Sequence, residues 1–130
     1  MVSDPVSRMF TWWNQAFKTR GAYTEEAFAV YFTDDAELII DGRLITSGLS
    51  GWAKHFQGIQ REVEEVEIVV PFKEVFQHED KVYTYHLSRA RRGGVAMRML
   101  SAGHAVIRDG KIASISLVRT VLDPSMPDPL

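Results

Sequence analysis

The sequence predicts an α+β fold, with helices packed on one face of one curved, mostly antiparallel sheet. Three observations lead there. Apolar residues recur at helical spacing in the first half of the chain, then switch to period two from about Val63 onward. Turn dipeptides fall between the alternating runs: Asp41-Gly42, Gly93-Gly94 and Asp109-Gly110. Helices and strands are therefore segregated along the chain, the mark of an α+β domain.

The first helix spans residues 3–20. Ser3 or Asp4 suits its N-cap, Pro5 its first turn, and Gly21 its end. Val6, Met9, Phe10, Trp13 and Phe17 form its apolar stripe, with Trp12 beside it. A second helix over 24–32 opens on Thr24 and two glutamates and presents Ala27, Phe28, Tyr31 and Phe32. The run "TDDAELIIDGRLITSG" changes period, with Ala36, Leu38 and Ile40 on one face and a hairpin at Asp41-Gly42. "SGLSGWAKHFQGIQRE" returns to helix, placing Leu49, Trp52, Phe56 and Ile59 on one face and His55 at its edge. Strands follow at 63–77, broken by a bend at Pro71, and then at 82–92, 95–108 and 111–122. The tail, 123–130, holds three prolines and is expected to be irregular.

The 130 residues fit a single domain, with its core over about 5–122. A net charge of −2 gives no electrostatic reason to expect nucleic acid or an acidic membrane as partner. "SRARRGGVAMR" is locally basic, but it is a hairpin tip. No apolar run approaches the ~20 residues of a membrane span, and the N-terminal "MVSDPVSRMFTWW" has no secretory pattern. The expectation is a cytoplasmic protein. Without cysteine there is no thiolate nucleophile or thiolate metal site. Four scattered histidines without carboxylates at ligand spacing make no metal centre. No metal and no cofactor are expected.

Charge placement assigns the strand faces, since a buried unpaired charge costs several kcal/mol, more than one apolar side chain returns. In 82–92, Arg89 and Arg91 share a face with Tyr83, Tyr85 and Leu87, so Val82, Thr84, His86, Ser88 and Ala90 should face inward. In 95–108, Arg98 and Arg108 should point out with Leu100, Ala102, His104 and Val106, leaving Met97, Met99, Ser101, Gly103 and Ala105 inside. In 111–122, Arg119 should point out with Ile115 and Leu117, leaving Ser114, Ser116, Val118 and Thr120 inside. Small and hydroxyl residues on a curved face favour a pocket with polar points over a dry core. The outer face, with Tyr83, Tyr85, Leu87, Leu100, Ile115 and Leu117, is apolar enough to suggest a homodimer through the sheet.

"YFTDDAELII" after two helices, "TSGLSGWAKHF" as the third helix and "VIRDGKIASISLV" as the last hairpin resemble the nuclear transport factor 2-like superfamily, in its SnoaL-like and ketosteroid-isomerase-like branch. The resemblance covers roughly 5–122. It implies a cone-shaped α+β barrel of the cystatin-like kind, an apolar pocket between helices and sheet, and often a homodimer. Its members include isomerases, polyketide cyclases, epoxide hydrolases, dehydratases and non-catalytic modules. The isomerase acids are missing: Trp13 or Asn14 stands at the helical tyrosine, Ile40 at the aspartate base with Asp41 beside it, and Ala102 or Gly103 at the second acid. Thr120 stands at the cyclase aspartate.

What remains is His86 as the candidate acid/base or carbonyl donor, against a buried neutral histidine bonded to Ser101 or to backbone. The ligand-binding candidates are Trp13, Phe17, His55, Phe56, Thr84, Met97, Met99, Ser101, Ser116 and Thr120. The expected partner is a small apolar ligand, with or without a carbonyl or ring. Two readings stand: a cofactor-independent isomerase, cyclase or dehydratase, or a non-catalytic ligand-binding or dimerisation module.

Overall fold

The computed structural model describes residues 4–129. Helix α1 runs Pro5–Phe17. Asp4 caps it, its carboxylate accepting from the Val6 and Ser7 amides at 2.9 Å each; Ser3 lies outside the described residues. The helix ends earlier than the apolar spacing predicts, at a Lys18 cap ahead of Gly21, whose φ is +85°. Helix α2 is only Glu25–Ala29, capped by Thr24, because Phe32 already opens strand β1 (Phe32–Ile40). Asp41 and Gly42 both take positive φ and return the chain into β2 (Arg43–Ser47), as the Asp-Gly signal requires. Helix α3 is Gly48–Glu62.

The fourth sequence strand is two: β3 (Glu65–Ile68) and β4 (Glu74–His78) flank the Pro71 break and both pair with β5 (Lys81–Arg92). Strands β6 (Val95–Arg108) and β7 (Lys111–Val121) complete the sheet. Its order is β2-β1-β7-β6-β5-β3, with β4 on the β5 edge beside β3. Only β1–β7 is parallel. The sheet is curved and open, so the barrel expected from the resemblance is a half-cone whose ends do not pair.

The core lies between this concave face and the helices. Trp13, Tyr23, Phe28, Phe32 and Trp52 are buried, and Phe56 packs against them. The Trp52 indole N–H donates to the Ala36 carbonyl at 3.0 Å and the Tyr23 hydroxyl to the Trp13 carbonyl at 2.9 Å, so these aromatics bury their rings without losing a hydrogen bond.

Strands β5 and β6 keep their alternation. Val82, Thr84, His86 and Ser88 are buried, and Ser101 and Ala105 lie opposite His86 and Val82 on the same face. Strand β7 does not. Ile107 pairs with Ile112 but Val106 with Ser114, so Ala113 is an extra residue, a β-bulge. A one-residue slip exchanges the faces of everything beyond it. Ile115 and Leu117 therefore point into the core, opposite Ala105 and Gly103, and are not part of an outer patch. Ser116 and Thr120 point outward, and Arg119 stands on the inner face opposite Ser101. Gly103 lets β7 come this close. A Cβ there would overlap the Ser116 carbonyl oxygen and sit 2.8 Å from Leu117 Cα.

Leu87 does lie on the outer side but is not free to meet a partner: it is 0% exposed and stands outside the main core cluster. The tail crosses the outer face at this level. Asp128 accepts from Arg89 and Arg98 at 2.6 Å each, Arg98 also reaches the Asp123 and Met126 carbonyls, and Lys73 reaches the Pro129 carbonyl. The tail lacks secondary structure, as expected, yet it is strapped to the sheet.

Candidate functional site

The deep end of the cone is filled. Trp13 stacks on Phe17 and meets Phe56 edge-on at 5.3 Å, and Phe56 contacts Tyr23, Phe28 and Trp52. Thr84 faces Gly103 beside this packing. Trp13, Phe56 and Thr84 are therefore residues of the core rather than walls of an open pocket.

Open space lies at the wide end, where α1 and α3 finish above β3, β5, β6 and β7. The cleft there has a volume of about 1190 Å³. Phe17, Val66, Ala90, Met97 and Val121 form its apolar lining, and it extends past the β5–β6 hairpin to Leu122 and Pro124 of the tail. The register explains the grouping: Val66 pairs with Ala90, and Ala90 with Met97, all on the inner face. Asn14 closes the α1 side, its amide donating to the Ile68 carbonyl at 2.8 Å and accepting from the Ile68 N–H at 2.9 Å. Helix and edge strand are thereby held at a fixed separation.

Of the ligand-binding candidates, Phe17 and Met97 line this cleft. Met99 and Ser101 lie deeper on β6, and His55 stands half-buried on α3. Ser116 and Thr120 face away from it. Val66, Ala90 and Val121 are the residues that sequence reasoning missed as lining. Val121 was hidden by the bulge, although the spacing of Ile112, Ile115 and Leu117, three and then two, carries the mark of one.

His86 is outside the cleft. It is 1% exposed, stacked on Phe72 at 4.9 Å and approached by Phe10 at 6.0 Å. Its Nδ1 is buried without a hydrogen-bond partner, and no hydrogen bond joins it to the opposing Ser101. Burial in this apolar box pulls its pKa down to about 4. The imidazole is neutral at pH 7 and is not among the residues that line the cleft. The Trp13 Nε1 is likewise buried without a partner.

His55 has its pKa lowered by burial first and by the Arg119 charge second. Arg119 is held by its main chain, whose N–H donates to Asp41 Oδ1 at 3.0 Å, while its Nε lies 4.0 Å from Asp41 Oδ2. Among the described residues, no group of three or more His, Asp or Glu side chains is placed to hold a metal ion, and no helix is long and apolar enough to cross a membrane.

A three-helix layer on an open, curved sheet of this order is shared with solved structures. An NTF2-like protein of unknown function from Exiguobacterium sp. 255-15 superposes with a TM-score of 0.71 at 15% identity, over 92% of this chain and 98% of that one. The chain has the nuclear transport factor 2-like fold. A protein with a ketosteroid isomerase-like fold from Catenulispora acidiphila, solved in complex with trimethylamine, matches at TM-score 0.68 and 14% identity, over 88% of this chain and 85% of that one. A candidate SnoaL-like polyketide cyclase from Jannaschia sp. CCS1 matches at 0.66 and 12%, over 90% and 82%. No family model and no curated protein matches the sequence. At such identities the likeness is one of nuclear transport factor 2-like architecture, and chemistry must be argued from the side chains.

Proposed function

We propose that this nuclear transport factor 2-like domain binds a small, largely apolar molecule in the cleft at the wide end of the cone, without catalysing a reaction on it. The observation that carries this reading is the separation of the cleft from the one fully buried imidazole among the described residues: Phe17, Met97 and Val121 line open space while His86 is 1% exposed and packed against Phe10 and Phe72. The absence of acids at the isomerase and cyclase positions points the same way. Bound apolar molecules gain roughly 25 cal/mol per Å² of surface removed from water, enough for useful affinity without any ionic contact. Titration with 8-anilinonaphthalene-1-sulfonate tests it. The dye should brighten on the native protein, and Met97→Trp, which fills the cleft floor, should abolish the signal. A dye response unchanged by Met97→Trp would refute the location.

A second reading concerns the outer face. Phe76, 61% exposed, stacks on Tyr83 at 5.3 Å, and Tyr83 meets His104 at 5.6 Å. With Tyr85 and Leu100 this half of the outer sheet supports self-association, although Leu87, fully buried, cannot contribute. Sedimentation velocity at micromolar concentration should show a dimer that Phe76→Glu dissociates.

A further inference from the structure

We propose that Arg89 and Arg98 form an oxyanion-binding clamp on the outer face, that the chain's own Asp128 occupies it, and that free phosphate competes for it and releases the tail. The two arginines pair directly across β5 and β6. Like charges set opposite each other on one sheet face repel, so the pair calls for an anion between its guanidiniums. Asp128 meets it with both oxygens: Oδ2 accepts from Arg89 and Oδ1 from Arg98, at 2.6 Å each. Those hydrogen bonds, from Arg98 first and Arg89 second, hold the Asp128 carboxyl below the ordinary carboxylate range. Arg98 is the fixed half of the clamp, its side chain 18% exposed against 45% for Arg89. Glu67 stands 3.8 Å from Arg89. With Asp128 gone, two guanidiniums would face that one carboxylate, and an incoming anion would restore the balance. Arginine forks suit phosphate oxygens as well as they suit a carboxylate.

The present occupant is replaceable. The root of the tail is fixed by backbone, the Leu122 N–H donating to the Arg98 carbonyl at 2.9 Å. Asp123 is committed to its own turn, accepting from the Ser125 N–H and hydroxyl at 2.8 and 2.7 Å. Beyond that turn the tail is held by charged side chains: Arg89 and Arg98 on Asp128, Arg98 on the Met126 carbonyl, and Lys73 on the Pro129 carbonyl. Pro124, Pro127 and Pro129 have no N–H to give to the sheet. Exposed ion pairs of this kind are weak and screened by salt. A group on a short flexible tether acts like free ligand at roughly millimolar concentration, so phosphate in that range competes with Asp128 on similar terms.

The test is NMR titration of the intact protein with sodium phosphate, set against sodium chloride at equal ionic strength. Phosphate should move the Ser125, Met126 and Asp128 amide signals toward their positions in Asp128→Asn, where the strap is already released, and chloride should lag behind it. Asp128→Asn should bind phosphate roughly tenfold or more tightly than the native chain, the usual scale of a charged hydrogen bond. Adding Arg98→Gln to that variant should remove the binding. Arg89→Gln gives the same reading if the loss of Arg98 impairs folding. Equal phosphate affinity with and without Asp128, or binding indifferent to the arginine substitutions, would overturn the clamp. Phosphate binding that leaves the tail signals in place, or chloride that matches phosphate, would overturn the release. None of these readouts depends on what the cleft binds.

Discussion

Strands β5 and β7 carry similar sequence patterns and end in different places. Both alternate aliphatic with small or hydroxyl residues, and both place an arginine late in the strand. Strand β5 pairs with β6 in unbroken register from Lys81 to Arg92, so its alternation holds and His86 lies inside. Strand β7 absorbs Ala113 as a bulge, and from Ser114 on its two faces trade places. The difference teaches that face assignment from charge depends on where along the cone the charge falls. Arg89 is outward, tied to Asp128 over the outer face. Arg119 is inward, yet still hydrated, because its row opens at the rim.

The sharpest way to break this comparison is on β7. Ile115→Ala should cost roughly 2–4 kcal/mol of unfolding free energy, the usual price of a large-to-small change in a packed core, whereas Ser116→Ala should stay within about 0.5 kcal/mol. Urea denaturation of both variants measures it; the reverse order would restore an unbulged strand.

On β5 the corresponding test is pH. The folded His86 has a pKa of about 4 against an ordinary 6.5, so it resists protonation while the unfolded chain accepts it. Above pH 6.5 both states are neutral and the residue adds no pH dependence. As pH falls from about 6.5 to 4 stability should decline, by about 3 kcal/mol in all for a shift of this size. His86→Phe, which keeps a ring against Phe72, should remove that decline from the stability-versus-pH curve.

Gly103 sharpens the contrast from the strand between them. Gly103→Ala should cost about 1–3 kcal/mol through overpacking against the β7 backbone, while Ala102→Gly on the outer face should cost about 1 kcal/mol or less, from backbone entropy. Thermal melts of the two variants should rank in that order. The smallest effect belongs to the strap. Asp128→Asn should leave global stability nearly unchanged but speed amide exchange around Leu87, and added salt should do the same to the native protein.

The architecture was largely legible because it rests on local signals. Asp4 and Thr24 cap their helices, Asp41-Gly42 turns its hairpin, and Pro71 splits an edge strand, each through its own backbone chemistry. The faces of β5 and β6 were legible for the same reason, since strict alternation needs no knowledge of neighbours. The site was not. A bulge is decided jointly by two strands, and the charge on Arg119 outweighed the Ile112–Ile115–Leu117 spacing that signalled it. The tail is a segment with no periodicity at all, and its position on the sheet depends on one aspartate meeting two arginines brought together by β5 and β6. Nor does alternation reveal whether an inward face meets space or rings: Trp13 and Phe56 were assigned to a pocket wall and instead fill the cone.

Ala113 also has a bearing on how such a protein changes over generations. A single-codon deletion there would remove the extra residue and leave strict alternation from Ile112, so Ile115, Leu117 and Arg119 would still face the cone and Ser116 and Thr120 would still face away. Position 113 is thus a place where the gene can gain or lose a codon without exchanging the two faces of the strand. The same in-frame change further along β7, where no slack residue is stored, would turn every later side chain over.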